Sequence, residues 1–338
     1  MIGFPGSELS KDQPICRDIV EYGLGGVILF NRCLHNPALT ANISSAAQVQ
    51  KLCRSLQDLA DHTLLIGVDQ EGGMVRRLRP EAGFTDICSA REMGDSGTQT
   101  HLTRQAAQTT AALHEEIGFN CNFAPVDDIN RNPDNPVIGA IHRSFSEDPG
   151  LVVSHAAAWI HEHRKHGIMS CLKHFPGHGS STSDSHVGFV DVSDVWDESE
   201  LIPYQELNRL NLIDAVMTGH LYNSRIDPNY PATMSNRTIN GLLRGEIGYD
   251  GVVFSDDLQM RAITDRYPFE EAVCRTLSAG VDMLVFGNNL DYDPDVCPKA
   301  IDAIMTGIEK NIIDEEQIQK IKNDFYRLNG VAENEKMV

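Results

Sequence analysis

Apolar residues along this 338-residue chain fall into two patterns that take turns. Short runs, apolar at odd and even positions alike, occur at 1–4, 26–30, 64–69, 119–125, 169–175, 215–220, 251–257 and 282–286. A strand with one wet face would alternate, whereas a strand apolar throughout is expected in a parallel sheet buried on both faces. Between the runs the spacing becomes helical. Val49, Leu52, Leu56 and Leu59 stand at i, i+3, i+7 and i+10, one apolar stripe. Residues 104–117 are alanine-rich and favour a helix, and 152–166, 198–210 and 270–279 read as helices too. After Asp314, residues Ile318, Ile321, Phe325 and Leu328 share a face, and Asn329-Gly330 ends that helix. A charged tail over 331–338 is expected to fray. Eight strands alternating with helices predict a single (β/α)8 TIM barrel over 1–330, of the α/β class, for which ~250 residues are typical. An open doubly wound sheet is the alternative at this level. No internal repeat or linker marks a second domain.

Polar residues gather at the C-terminal ends of the runs: Asp69, Asp127-Asp128, Lys173-His174, His220 and Asp256-Asp257. In a barrel those ends meet at one mouth. The densest stretch is KHFPGHGSSTSDSH, from Lys173 to His186. Gly177 and Gly179 bracket His178, so the backbone can turn there. The segment 180–183 is small and polar and reads as a mobile loop. Asp184 and His186 come next, two apart, on the same side of an extended backbone. A carboxylate beside an imidazole fixes its tautomer and raises its proton affinity, as a general acid/base requires. Two other readings stand beside this one. His174, His178, Asp184 and His186 could ligate a metal, though their spacing matches no metal motif, and any single histidine, His178 above all, could be structural.

Other strings carry further candidates. In LIGVDQEGGMVRRL, Asp69 ends a strand, Gly72-Gly73 turns the chain, and Arg77 lies beyond the turn. Asp69 either accepts sugar hydroxyls at the mouth or caps a following helix. In FAPVDDIN and the residues after it, Asp127 and Asp128 hold the rim. Arg143 either clamps an acyl or carboxylate oxygen or pairs on the surface with Glu147 or Asp148. In FSDDLQM, Asp256 closes a strand, where a carboxylate can attack an anomeric carbon. Asp257 points elsewhere and suits a helix cap. His220, in MTGHLYN, is expected to act through a neighbour.

The composition narrows the partners. At 41% hydrophobic the chain can bury a core, and its net charge of −20 argues against nucleic acid or an anionic membrane surface. No run reaches the ~18 apolar residues of a membrane helix. The eight cysteines form no CxxC pair and read as reduced thiols, which leans to the cytoplasm. A strand-like run at the very start leaves an upstream leader open.

Taken together, GFPG, GGVILF, VDQEGG, APVDDIN, KHFPGHG with DSH, MTGH, PATMS and FSDDLQM resemble glycoside hydrolase family 3, in its bacterial single-domain β-N-acetylglucosaminidase form. The likeness runs from Gly3 to about Gly287. It implies a retaining, two-step mechanism without cofactor or metal. Asp256 is then the nucleophile, and His186 with Asp184 the acid/base pair. Asp69, Arg77, Arg143, Lys173 and His174 would hold the terminal N-acetylglucosamine. The implied substrates are peptidoglycan recycling fragments or chitin oligosaccharides, and the implied state a monomer. Many family members carry a second α/β domain that completes a glucosidase site, for which this length leaves no room, and that favours the histidine mechanism. Two departures stand out. Ala140-Ile141-His142 separates Gly139 from Arg143 where one residue is usual, and Met74 replaces a common arginine. The rival readings are a phosphorylase on the same scaffold, a metal-dependent amidohydrolase barrel, and a silent sugar-binding protein.

Overall fold

The structure, a computed structural model, describes residues 1–328. The expected stop at Asn329-Gly330 and the tail over 331–338 lie outside the described residues, as do the side chains of Phe325 and Leu328. Among the described residues, eight strands form one parallel sheet in sequential order: β1 (Ile2–Gly3), β2 (Gly26–Ile28), β3 (Leu65–Val68), β4 (Cys121–Asn122), β5 (Met169–Phe175), β6 (Ala215–Thr218), β7 (Val252–Asp257) and β8 (Met283–Val285). A parallel bridge between Ile2 and Phe286 joins the last strand to the first. It carries hydrogen bonds from Gly3 N to Phe286 O (2.9 Å) and from Phe286 N to Met1 O (3.0 Å). The sheet is therefore a barrel and not an open doubly wound sheet.

Alternation along the strands divides the apolar residues between two cores. Ile28, Leu65, Cys121, Cys171, Ala215, Val252, Phe254 and Val285 pack together inside the barrel, where Phe123 meets Phe254 edge-on at 5.6 Å. Their neighbours Val27, Ile66, Leu172, Val216, Val253 and Leu284 face the helices. Each such large side chain contributes about 1.5–3 kcal/mol by leaving water. The lumen-facing set also aims the chemistry. Continuing by twos, Leu65 and Gly67 lead to Asp69, Cys171 to Lys173, and Phe254 to Asp256.

The surrounding helices include α1 (Pro14–Tyr22), α2 (Ala46–Leu59), α3 (His101–Ile117), α4 (Pro149–Lys165), α5 (Ile202–Arg209), α6 (Arg237–Glu246), α7 (Phe269–Ser278), α8 (Val296–Glu309) and α9 (Glu315–Leu328). The expected stripe on α2 is buried at Val49, Leu52 and Leu56. Ile318 and Ile321 of α9 pack half-buried on the core. Three helices escape the sequence pattern. α1 is only nine residues long. α6 contains Gly241 and Gly245 and has π-type hydrogen bonding, and α8 carries Pro298 in its first turn. Glycine and proline there read as loop. The eight cysteines are unpaired, and all but Cys88 are buried. No helix of the described residues is long and apolar enough to cross a membrane.

Candidate active site

A cavity of about 370 Å3 opens at the C-terminal ends of the strands, at the small end of the ~300–1,000 Å3 typical of ligand sites. Asp69, Arg77, Arg143, Lys173, His174, Asp184, His186 and Asp256 all line it. The sequence places these eight residues on four separate stretches, and the closed barrel brings them to one cavity.

The floor is an ion network. Lys173 Nζ donates to Asp69 Oδ1 (2.9 Å) and lies 2.8 Å from Glu71 Oε1. Arg77 Nη2 donates to Asp69 Oδ2 (2.9 Å), with its guanidinium over the Phe30 ring at 5.6 Å. Arg143 grips Glu71 with Nε and Nη2, both at 2.8 Å, and donates Nη1 to Val137 O at 2.8 Å. Burial alone would push the Asp69 and Glu71 carboxyls up, but Lys173 with Arg77 and Arg143 at Asp69, and Arg143 with Lys173 at Glu71, outweigh it and hold both below their ordinary values. Three cations against two carboxylates leave one positive charge in surplus. Arg143 thus pairs neither with Glu147 nor with Asp148 but turns inward, and the three residues before it do not take it out of reach. They add Ile141 to the cavity wall.

Asp69 does not cap a helix. The chain beyond it forms a β-hairpin, Gln70–Gly72 against Val75–Arg76. Gly72 has φ 101°, and a Cβ there would stand 2.2 Å from Cys88 O, so only glycine makes this turn. Glu71 is the site residue missing from the sequence reading. The signal was present: Glu71 lies two residues beyond Asp69, on the same side of the chain.

Behind the wall, Asp128 organises the KHFPGHG segment. Its Oδ1 accepts from the backbone N–H of His174 (3.1 Å) and of His178 (2.7 Å), and Oδ2 sits 2.7 Å from His174 Nδ1. Arg143 Nη2 approaches His174 Nε2 at 3.4 Å, and a guanidinium only donates. Nε2 is then the acceptor and Nδ1–H the donor to Asp128. His178 is buried, with Nδ1 on Ser181 Oγ at 2.7 Å. Burial and the neighbouring His174 pull it down to about 4. Gly177 (φ 119°) lets the chain pass under Glu200, whose Oε2 accepts from Gly179 N at 2.9 Å. The other carboxylate at this rim, Asp127, is fully buried, and burial with Asp128 beside it drives it well above its usual range.

Glu200 gives a pH-dependent prediction. Burial raises it to about 8, so the folded state keeps a proton that the unfolded chain releases above its ordinary value of 4.5. Stability from this group is full at low pH and is lost as pH rises towards 8, at about 1.4 kcal/mol per unit. Glu200→Gln removes that dependence. Its urea midpoint should gain on wild type by roughly 3 kcal/mol equivalent between pH 5 and pH 8. A difference that stays flat with pH would contradict a protonated Glu200.

Asp184 and His186 meet as expected but by another backbone route. The chain is turned, not extended: Val187 N bonds to Asp184 O at 3.2 Å. Asp184 Oδ1 receives both the backbone N–H of His186 and ring Nδ1, each at 2.8 Å. A carboxylate that accepts fixes Nδ1–H and frees Nε2 for proton exchange. The His186 side chain is 52% exposed and that of Asp184 28%. Asp256 lines the same cavity. Burial raises its carboxyl, but His220, His174 and His186 outweigh this and hold it below its ordinary value. Asp257 diverges from it. Burial pushes Asp257 up to about 6, although Gly287 N and Gln259 N donate to it at 2.9 and 3.0 Å. It reaches the cavity wall and closes a turn, whereas the helix after it starts at Arg261 without a side-chain cap. His220 donates Nε2–H to Asp257 O at 2.8 Å and touches Asp256 only through charge. The histidines of KHFPGHG…DSH thus have separate partners, and no group of three or more metal-capable side chains is arranged for an ion among the described residues.

Two carboxylates pushed apart in proton affinity, with a histidine–aspartate pair in the same cavity, make a site for acid/base and nucleophilic chemistry at the mouth of a parallel barrel. The chain belongs to glycosyl hydrolase family 3, whose N-terminal domain matches residues 7–327. It is 36% identical over 296 residues to a β-hexosaminidase of Tolumonas auensis, covering 86% of this chain and 82% of the relative. It is 35% identical over 286 residues to β-hexosaminidase A of Pseudoalteromonas piscicida, covering 78% of this chain and 46% of that protein, so it spans about half of the latter's length. The structure of a family 3 β-N-acetylglucosaminidase from Paenibacillus sp. superposes with a TM-score of 0.87 at 35% identity, over 98% of this chain and 60% of the other.

Proposed function

We propose that this chain is a retaining exo-β-N-acetylhexosaminidase that releases terminal β-linked N-acetylglucosamine. The observation that carries the reading is the presence in one cavity of Asp256, its carboxyl held below the ordinary value, and of a His186 whose Nδ1 is fixed by Asp184. In the first step an Asp256 oxygen bonds to the anomeric carbon as the glycosidic bond breaks, and His186 Nε2–H passes its proton to the leaving oxygen. In the second, His186 Nε2 takes a proton from water, the water oxygen bonds to the anomeric carbon, and Asp256 departs with its electron pair. Asp69 and Lys173 supply an acceptor and a donor for sugar hydroxyls, and Arg143 a donor for the acyl oxygen. The substrates we favour are cell-wall recycling fragments or chitin oligosaccharides. The unpaired cysteines support a reducing compartment such as the cytoplasm.

The deciding experiment is turnover of p-nitrophenyl N-acetyl-β-glucosaminide beside the matching β-glucoside, with and without phosphate and chelator. Activity confined to the N-acetyl sugar, releasing the β-anomer first, supports the reading. Phosphate-dependent release of a sugar 1-phosphate points instead to phosphorolysis, and loss with chelator to a metal enzyme. His186→Ala separates the two steps by leaving group. An alkyl or sugar leaving group should lose about 10²–10⁴-fold in kcat/KM, and an activated aryl one far less, because it needs little protonation. Equal losses on both would remove His186 from acid catalysis.

A further inference from the structure

Neither MTGH nor PATMS supplies a charged side chain to the cavity lining, yet the fold joins the two strings at Asp257, the neighbour of the nucleophile. The ladder between β6 and β7 ends where Ser255 pairs with Thr218. On the other side, the register with β8 shifts between Phe254 and Asp257. Asp256 therefore stands where regular strand pairing does not fix it. Its side chain is held by the N–H of Asp257, which donates to Oδ1 at 2.8 Å. Asp257 is tied on two sides. Towards β8, its carboxylate accepts from Gly287 N at 2.9 Å. Towards β6, its carbonyl accepts from His220 Nε2 at 2.8 Å, beside a local bond from Met260 N at 3.0 Å. The His220 side chain thus takes the place of the rung that the β6–β7 ladder no longer provides.

PATMS fixes the His220 ring in turn. His220, Thr218 and Thr233 are buried, each at 1% exposure or less. Nδ1 lies 2.8 Å from Thr233 Oγ1, which accepts from Thr218 Oγ1 at 3.0 Å and has Gly219 O at 3.1 Å as a second acceptor. Ser235 anchors this turn by donating Oγ–H to Asp227 Oδ2 at 2.7 Å. A carbonyl only accepts, so Nε2 carries a proton and the Nδ1 of a neutral ring must accept. Thr233 then gives its single proton to Nδ1. If the ring gains a second proton, Nδ1–H becomes the donor, and Thr233 accepts it and turns its own proton to Gly219 O. Both ring nitrogens keep a partner in either charge state. Burial pulls His220 below its ordinary value, Asp256 and the Asp257 carbonyl oppose this, and His186 and His174 add like charge.

We propose that Thr233 is a positioning residue for the nucleophile: its hydroxyl fixes the His220 ring, His220 holds the carbonyl of Asp257, and the N–H of Asp257 holds Oδ1 of Asp256, which leaves Oδ2 to attack. Oδ2 bonds to the anomeric carbon as the glycosidic bond breaks, and the leaving oxygen takes its proton from His186. The role rests on the glycosidase reading above.

The test compares Thr233→Val, which keeps the shape and removes the hydroxyl, with Thr233→Ser, on p-nitrophenyl N-acetyl-β-glucosaminide. Valine leaves a neutral Nδ1 without a donor and a charged Nδ1–H without an acceptor. It should lower kcat about tenfold or more with KM little changed, since a small misplacement of an attacking group is costly. It also keeps the ring neutral to lower pH, so Asp256 loses a positive charge beside it and the acid limb of kcat/KM should move up. Thr233→Ser should restore most of the rate and the position of the limb. Damage to folding alone would scale the whole profile and leave the limb in place. Unchanged kcat in Thr233→Val, or a loss that falls on KM with the limb unmoved, overturns the proposal. Should that variant not fold, wild type decides. Imidazole nitrogen NMR should show the neutral His220 ring protonated at Nε2, and a neutral ring protonated at Nδ1 overturns the proposal. Silence of wild type on the glycoside strikes the glycosidase reading, and the positioning role falls with it. An active wild type with an indifferent Thr233→Val strikes the positioning role alone.

Discussion

Asp256→Ala should abolish turnover of N-acetylglucosaminides, lowering kcat by at least about four orders of magnitude. The size of the effect comes from position and charge. Asp256 continues the lumen-facing series Val252, Phe254 and stands at the end of β7, with His220, His174 and His186 keeping it ionised. A nucleophile must be ionised, and Asp257 beside it, pushed up to about 6 and held by Gly287 N, is poorly fitted to take its place. The only hydrogen bond the Asp256 side chain makes among the described residues is from the N–H of Asp257, at 2.8 Å, so its removal takes little from the fold. A thermal unfolding curve close to wild type should accompany the lost activity. A variant that keeps normal turnover would sink the nucleophile assignment.

Glu71→Ala should be costly in a different currency, stability and binding together. Glu71 accepts two hydrogen bonds from Arg143 and faces Lys173 at 2.8 Å, and its side chain is 5% exposed. Its removal leaves two buried cations with Asp69 as their remaining carboxylate. Breaking a buried pair from one side costs about 3–5 kcal/mol. Arg143 would also lose the contact that aims it, so KM should rise along with the fall in stability. Chemical unfolding and Michaelis kinetics on one sample measure both. A loss below about 1 kcal/mol with KM unchanged would show that Lys173 and Arg143 find other partners.

Why Asp256 was readable from the sequence and Glu71 was not has a physical basis. A strand buried on both faces is apolar at every position, so the first charged residue at its end marks where it leaves the core. Asp69, Lys173 and Asp256 all stand out in this way, and barrel closure through Ile2 and Phe286 brings them together. Glu71 sits beyond the strand, in a hairpin whose glycine pair advertises a turn and hides the strands beside it. Asp184 and His186 were paired correctly on a wrong premise. Spacing by two brings side chains together in an extended chain, but here a turn does so, with the backbone N–H as a third participant. Arg143 was undecidable from sequence because its partner lies 72 residues away. The helices lost to glycine and proline, α6 and α8, show that burial by neighbouring elements overrides local preference.

The Asp184 carboxylate has a consequence beyond its distance to the ring. One of its oxygens holds both the backbone and the imidazole of His186, two residues away. Nothing outside this three-residue turn is needed to choose which ring nitrogen carries the proton. The pair sets its own tautomer, while the turn that bears it is tied to the barrel through buried Ser185, whose carbonyl accepts from Ala262 N at 3.3 Å. The floor network of Asp69, Glu71, Arg77, Arg143 and Lys173 joins three distant stretches of the chain, whereas the choice of ring nitrogen at His186 is settled within one short turn.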